Sequence, residues 1–133
     1  MVRSARACLP CALGAAIACP DRKVVALQSD GSALYTLQSL WSMAREGTDV
    51  CVVIAANQRY QMLKTELDRL EGKPIPARAS DLTELRRPEI RWVDLARGLG
   101  VDAVRVDDVA GMRKALQRGI GEKGPFLIEA LLP

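Results

Sequence analysis

Two residue types twenty-seven positions apart carry the chemistry this sequence offers. Asp30 follows the apolar run Val24-Val25-Ala26-Leu27, and Asn57 follows the apolar run from Val50 to Ala56. A carboxylate and a carboxamide oxygen are hard donors, the kind magnesium takes in small number before phosphate and water complete its octahedron. Gly31 and Ser32 come directly after Asp30. Backbone amides that open a helix can cradle a phosphate at its positive end, and the Ser32 hydroxyl adds a donor. The pattern therefore predicts a magnesium and diphosphate site, against the plainer reading of Asp30-Gly31 as a turn that caps a helix.

Other chemistries are excluded or weakened by composition. The chain contains no histidine, which removes the commonest general base and the commonest transition-metal ligand together. Serine-histidine, cysteine-histidine and zinc-histidine sites within this chain are ruled out. Four cysteines, Cys8, Cys11, Cys19 and Cys51, are few for a disulfide scaffold and point to a reducing, cytoplasmic setting. Cys8-Leu9-Pro10-Cys11 has the spacing of a redox motif, although buried cysteine acting as a small apolar residue is the commoner case. A net charge of +3 and an aromatic content of 4% argue against a nucleic-acid partner. No apolar run reaches the roughly 20 residues a membrane span needs.

These residues need elements to hold them. At 133 residues the chain predicts one domain. Strands are expected at Val24 to Leu27, Val50 to Ala56, Ala103 to Val106 and Phe126 to Leu132. Helices are expected where Leu34, Leu37, Trp41 and Ala44 recur before Gly47, where Tyr60, Leu63, Leu67 and Leu70 recur before Gly72, and where Val109, Met112, Leu116 and Ile120 recur after Asp107-Asp108. Trp92, Leu95, Ala96 and Leu99 mark a shorter one. Pro74, Pro76 and Pro88 make Lys73 to Ile90 a long loop. Met1 to Ala18 has a basic start and an apolar stretch, the layout of a secretory signal, with Ala16-Ile17-Ala18-Cys19 as a lipoprotein-like cleavage site. Pro10 interrupts that stretch, and Leu9 to Ala18 reads equally as a small-residue helix against a sheet. Strands alternating with helices predict a mainly parallel sheet in a three-layer α/β/α fold. Such sheets bind ligands beyond the carboxyl ends of their strands, where Asp30 and Asn57 fall.

With this arrangement the sequence resembles the thiamine-diphosphate-dependent 2-oxo acid enzymes, of the acetolactate synthase and benzoylformate decarboxylase branch. Their C-terminal cofactor domain carries Gly-Asp-Gly and, farther on, Asn-Asn; here these positions read Ser29-Asp30-Gly31 and Ala56-Asn57. The resemblance also covers Leu9-Pro10, Ala12-Leu13-Gly14-Ala15-Ala16, Gly31-Ser32-Ala33, Leu40-Trp41, Asn57 with Tyr60, and Gly124-Pro125 with Leu127-Ile128-Glu129. It implies a thiamine-diphosphate-binding fold over residues 8–133, after an atypical segment at 1–7. It implies magnesium held by the side chains of Asp30 and Asn57 and by the backbone carbonyl of Arg59. Gly31 and Ser32 would contact the diphosphate, with Tyr60 beside the site or in the core.

Departures from the pattern are equally specific. Ser29 and Ala56 stand where the family has glycine and asparagine, and Arg3-Ser4-Ala5-Arg6-Ala7 replaces a glycine-rich stretch with an apolar wedge. In the family, a partner subunit's pyrimidine-binding domain supplies the glutamate that activates the cofactor. No residue here matches it: Glu46, Glu66 and Glu71 read as helix-surface charges and Glu129 as structural. No catalytic residue is therefore expected in this chain. The resemblance implies the cofactor-binding C-terminal domain of a 2-oxo acid decarboxylase or carboligase, incomplete and inactive alone, working in a homo- or hetero-oligomer. The alternative is a non-catalytic α/β remnant or interaction module that has lost its cofactor.

Overall fold

The computed structural model describes residues 8–69 and 77–133. The Arg3 to Ala7 segment, Leu70, Glu71, Gly72 and the first prolines of the expected loop lie outside them. Four strands form one sheet: β1 (Val24–Ser29), β2 (Val50–Ala56), β3 (Asp102–Val106) and β4 (Phe126–Leu131). All pairings are parallel and the order is β1-β2-β4-β3. The apolar run of β2 is buried along nearly its whole length, as a central parallel strand covered on both faces must be.

One face of the sheet carries α1 (Cys8–Ala18), α3 (Ser39–Glu46) and α6 (Trp92–Gly98) over a core of Leu9, Leu40, Met43, Val52, Ile54, Trp92 and Leu127. The other carries α7 (Val109–Gly121) over Cys51, Val53, Val106, Phe126 and Ile128. These are the three layers the sequence predicts. Leu9 to Ala18 is the sheet-packing helix, with Leu9, Ala12 and Ala16 buried. Among the described residues no helix is long and apolar enough to cross a membrane.

Three expectations are corrected by the structure. The single helix expected before Gly47 is split into the one-turn α2 (Asp30–Ala33) and α3. Between them, Thr36, Ser39, Leu40 and Trp41 donate to carbonyls three residues back. Turns of this kind wind more tightly than an α-helix and rotate the phase. Leu40 and Met43 face inward, and Trp41 is 51% exposed. On α7, close contact comes from Ala115 and Gly119, while Val109 and Ile120 stand 81% and 53% exposed. A Cβ on Gly119 would lie 2.6 Å from Cys51 Sγ and 2.9 Å from Phe126 Cδ1, so glycine lets the helix approach the sheet. The helix that follows Tyr60 is α4 (Gln61–Arg69), and part of the expected loop forms a short helix, α5 (Ala77–Asp81).

The strand β1 is an edge whose outer face is open, with Val25 and Leu27 both exposed. At the opposite end of the sheet from Asp30 and Asn57, Asp49 ties the strand starts together. Its carboxylate accepts from Lys23 Nζ at 3.3 Å, Lys123 Nζ at 2.6 Å and the Gly124 amide at 2.7 Å. The Lys123 hydrogen bond first, then the Gly124 amide, holds the Asp49 carboxyl down at about 2.

Candidate functional site

Parallel pairing aligns Ser29 with Ala55, so the residues that follow β1 and β2 emerge side by side. The α2 turn begins at Asp30 and the chain after β2 begins at Asn57. Asp30 is 2% exposed. Its Oδ1 accepts the Gly31 amide at 2.8 Å and its Oδ2 accepts the Gln58 amide at 2.6 Å. The second bond spans the two strand ends and brings Asn57 to the site. Asn57 Oδ1 accepts the Arg59 amide at 3.2 Å, which folds the chain back on itself through Gln58 at φ 58°. That left-handed conformation is uncommon for a side-chain-bearing residue and is over-determined here by bonds on both sides.

The loop expected between Lys73 and Ile90 contributes a brace. Thr83 O accepts the Tyr60 amide at 2.7 Å, and the Leu85 amide donates to Gln58 O at 2.9 Å. Gln58 Nε2 donates to Glu89 Oε1 at 3.1 Å, and Glu89 is in turn paired with Arg105. Tyr60 packs over Gly31: a Cβ there would meet Tyr60 Cε1 at 2.5 Å. The Ser29 hydroxyl donates to Ser32 Oγ at 3.0 Å.

Thus the structure brings together Asp30, Gly31, Asn57, Arg59 and Tyr60, with Ser32 on the same turn. Sequence reasoning missed Gln58, Thr83 and Leu85. Gln58 acts on the turn through its amide, its carbonyl and a dihedral, beside its side-chain bond to Glu89, and the two brace residues act through backbone groups, which no side-chain pattern announces. The helix expected to present Gly31 and Ser32 is only four residues long and carries no long dipole, and its Gly31 amide is already taken by Asp30 Oδ1.

The donor set fits a hard divalent cation. Among the described residues, the buried carboxylate of Asp30 has two backbone partners and no ion-pair partner. Each carboxylate oxygen keeps a second lone pair after accepting one hydrogen bond. Asn57 Oδ1 and the Arg59 carbonyl add oxygen donors of the class magnesium prefers. No group of three or more cysteine, aspartate or glutamate side chains able to hold a metal occurs among the described residues, so a soft thiolate centre is not the competing arrangement. Glu129 lies on β4, 2% exposed, beside its register partner Arg105. Burial pushes its carboxyl above the ordinary range, partly offset by Arg105.

Known proteins share this arrangement of elements. A Mycobacterium tuberculosis chain provisionally named acetolactate synthase large subunit IlvX is 44% identical over 126 residues, covering 94% of this chain and 24% of its own length. The benzoylformate decarboxylase of Pseudomonas aeruginosa is 32% identical over 91% of this chain and 22% of its own. Among solved structures, a Rhodococcus jostii thiamine diphosphate-dependent 4-hydroxybenzoylformate decarboxylase superposes with a TM-score of 0.80 at 34% identity. That match covers 92% of this chain and 22% of the other. The chain therefore spans about a quarter of the length of the curated relatives it matches. The family described as "Thiamine pyrophosphate enzyme, C-terminal TPP binding domain" matches residues 7–130, and the chain belongs to it.

Proposed function

We propose that this chain is the magnesium- and thiamine diphosphate-binding part of an acetolactate synthase-like or benzoylformate decarboxylase-like enzyme acting on a 2-oxo acid. The observation that carries this reading is the 2.6 Å bond from the Gln58 amide to Asp30 Oδ2, which holds the Asn57 turn against a buried carboxylate. Asp30, Asn57 and the Arg59 carbonyl would hold magnesium. Gly31 and the Ser32 hydroxyl would face the diphosphate, and Tyr60 would wall the site beside Gly31. Thiamine diphosphate, when bound, supplies the electron sink for breaking a bond next to the 2-oxo acid carbonyl. This chain's own contribution is to bind and orient that group. Decarboxylation or carboligation requires a partner pyrimidine-binding domain, on another chain or on further sequence, within a homo- or hetero-oligomer. Free thiols at all four cysteines are consistent with a reducing, cytoplasmic setting.

A second reading, a module that has lost the cofactor, draws on Ser29 and Ala56 and on the Tyr60 ring lying over Gly31. Thermal denaturation separates the two. A ligand that binds only the folded state raises the midpoint by mass action. Thiamine diphosphate with magnesium is expected to raise it, with neither alone sufficient and with no effect on Asp30→Ala. An unchanged midpoint for the parent chain at millimolar cofactor contradicts the first reading and supports the second.

A further inference from the structure

Nothing in the cofactor reading uses the pair that opens α1. Cys8 and Cys11 lie in the first turn of that eleven-residue helix, with Pro10 between them. An ideal helix places residues three apart at a Cα separation of about 5 Å, inside the roughly 4.4–6.8 Å that a disulfide spans. Cβ atoms three apart on an ideal helix lie about 5–6 Å from each other against the roughly 3.5–4.5 Å of a disulfide, so the backbone of this turn must tighten as the pair closes. The opening turn is where a helix lacks its own N–H partners and can tighten at little cost, and where Pro10 sacrifices no hydrogen bond.

The two thiols are not equivalent. Cys11 is exposed, and Cys8 is partly buried with its thiol donating to the Leu27 carbonyl of β1 at 3.7 Å. Burial, and then the proximity of Cys11, push the Cys8 thiol up. The other cysteines are set apart from this pair. Cys51 is fully buried under α7, and Cys19 follows the far end of α1, about 12 Å along the axis from Cys11 at helical rise.

We propose that Cys8 and Cys11 form a reversible dithiol and disulfide pair that exchanges with small disulfides of the glutathione class, Cys11 attacking first and Cys8 resolving. The Cys11 thiolate attacks one sulfur of the external disulfide; that S–S bond breaks, one thiolate leaves, and a mixed disulfide forms on Cys11. Cys8 gives up its proton, attacks the Cys11 sulfur and expels the second thiolate. The two protons lost by Cys8 and Cys11 end on the two released thiols. Two protein thiols are oxidised to one disulfide and one external disulfide is reduced. Exposure sets the order, since a thiolate must be both formed and reachable to attack. Closing the pair also withdraws the thiol donor from Leu27, three residues before Asp30.

The test uses the full chain carrying Cys19→Ser, equilibrated across ratios of reduced to oxidised glutathione, quenched by alkylation and read by peptide mass spectrometry. Circular dichroism confirms that each variant is folded. Expected is a loss of two hydrogens confined to the Cys8 and Cys11 peptide, reversed by excess reduced glutathione. Adding Cys8→Ser should accumulate a stable glutathione adduct on Cys11. Adding Cys11→Ser should leave Cys8 modified at least ~10-fold more slowly. The proposal is overturned if the folded chain stays a dithiol in excess oxidised glutathione. It is equally overturned if adducts on Cys11 persist unresolved while Cys8 is present, or if Cys8 reacts as fast as Cys11.

Discussion

Asp30 Oδ2 and the Gln58 backbone amide lie 2.6 Å apart across the ends of two parallel strands. The same carboxylate holds the Gly31 amide at 2.8 Å, so one buried side chain organises both strand ends of the candidate site. This relationship makes Asp30 a structural residue as well as a candidate ligand. Asp30→Ala should strip partners from two backbone amides and cost about 2–6 kcal/mol, at roughly 1–3 kcal/mol for each buried donor left unpaired. Urea denaturation without magnesium or cofactor checks this. An unchanged midpoint would show that the bond does not organise the turn.

Gly119 should tolerate no side chain while Cys51 faces it. Gly119→Ala places a methyl 2.6 Å from Cys51 Sγ and 2.9 Å from Phe126 Cδ1. Overpacking of this kind costs about 1–3 kcal/mol. The double variant with Cys51→Ala should recover part of that loss, giving a positive coupling in a double-mutant cycle of denaturation free energies. Strict additivity would mean that α7 moves off the sheet as a body.

Glu129 predicts a pH dependence with a definite sign. Its carboxyl is raised by burial, so between the unfolded and folded values the native chain binds more protons than the unfolded one. Stability from this group therefore falls as pH rises through that window, above roughly pH 4.3, the ordinary glutamate value. Glu129→Gln should be more stable than the parent near neutrality and should lose the advantage in acid. Unfolding midpoints measured from pH 4 to pH 8 that stay parallel for the two proteins would contradict this.

Asp49 predicts the opposite trend. With its carboxyl held at about 2, its contribution is present above roughly pH 3.9, the ordinary aspartate value, and disappears as pH falls toward 2. The Lys123 partner is 83% exposed, so its share is weakened by salt. Asp49→Ala should lose about 1–2 kcal/mol near neutrality, chiefly through the Gly124 amide and Lys23. The difference from the parent should shrink on acidification in urea melts; a gap that is constant with pH would assign the loss to packing.

The sheet was legible in the sequence because its signals are local and redundant. Val50 to Ala56 reads as a buried parallel strand by composition, and Asp108 caps α7 through the Gly111 amide as its residue type suggests. Asp30 and Asn57 were legible because parallel pairing of consecutive strands forces their ends together. The helix phase after Asp30 was not, since the tightened turns at Thr36 to Trp41 depend on how α3 seats against α1 and the sheet. Leu40 and Met43 satisfy that packing and Trp41 does not. The brace from Thr83 and Leu85 to the Asn57 turn was hidden for another reason: it is made by backbone groups, which carry no residue signature.

The most direct measurement is calorimetric titration of thiamine diphosphate into the purified chain, with and without magnesium, on the parent and on Asn57→Ala, each first shown to be folded. Among the described residues the Asn57 side chain bonds within its own turn, and Gln58 is held separately by Asp30 Oδ2 and by the Leu85 amide, so the clamp should persist in the variant. The account predicts magnesium-dependent binding to the parent, weakened at least ~10-fold, or about 1.4 kcal/mol, in the variant. Absence of binding to the folded parent at millimolar cofactor, or equal binding by the two chains, would contradict it.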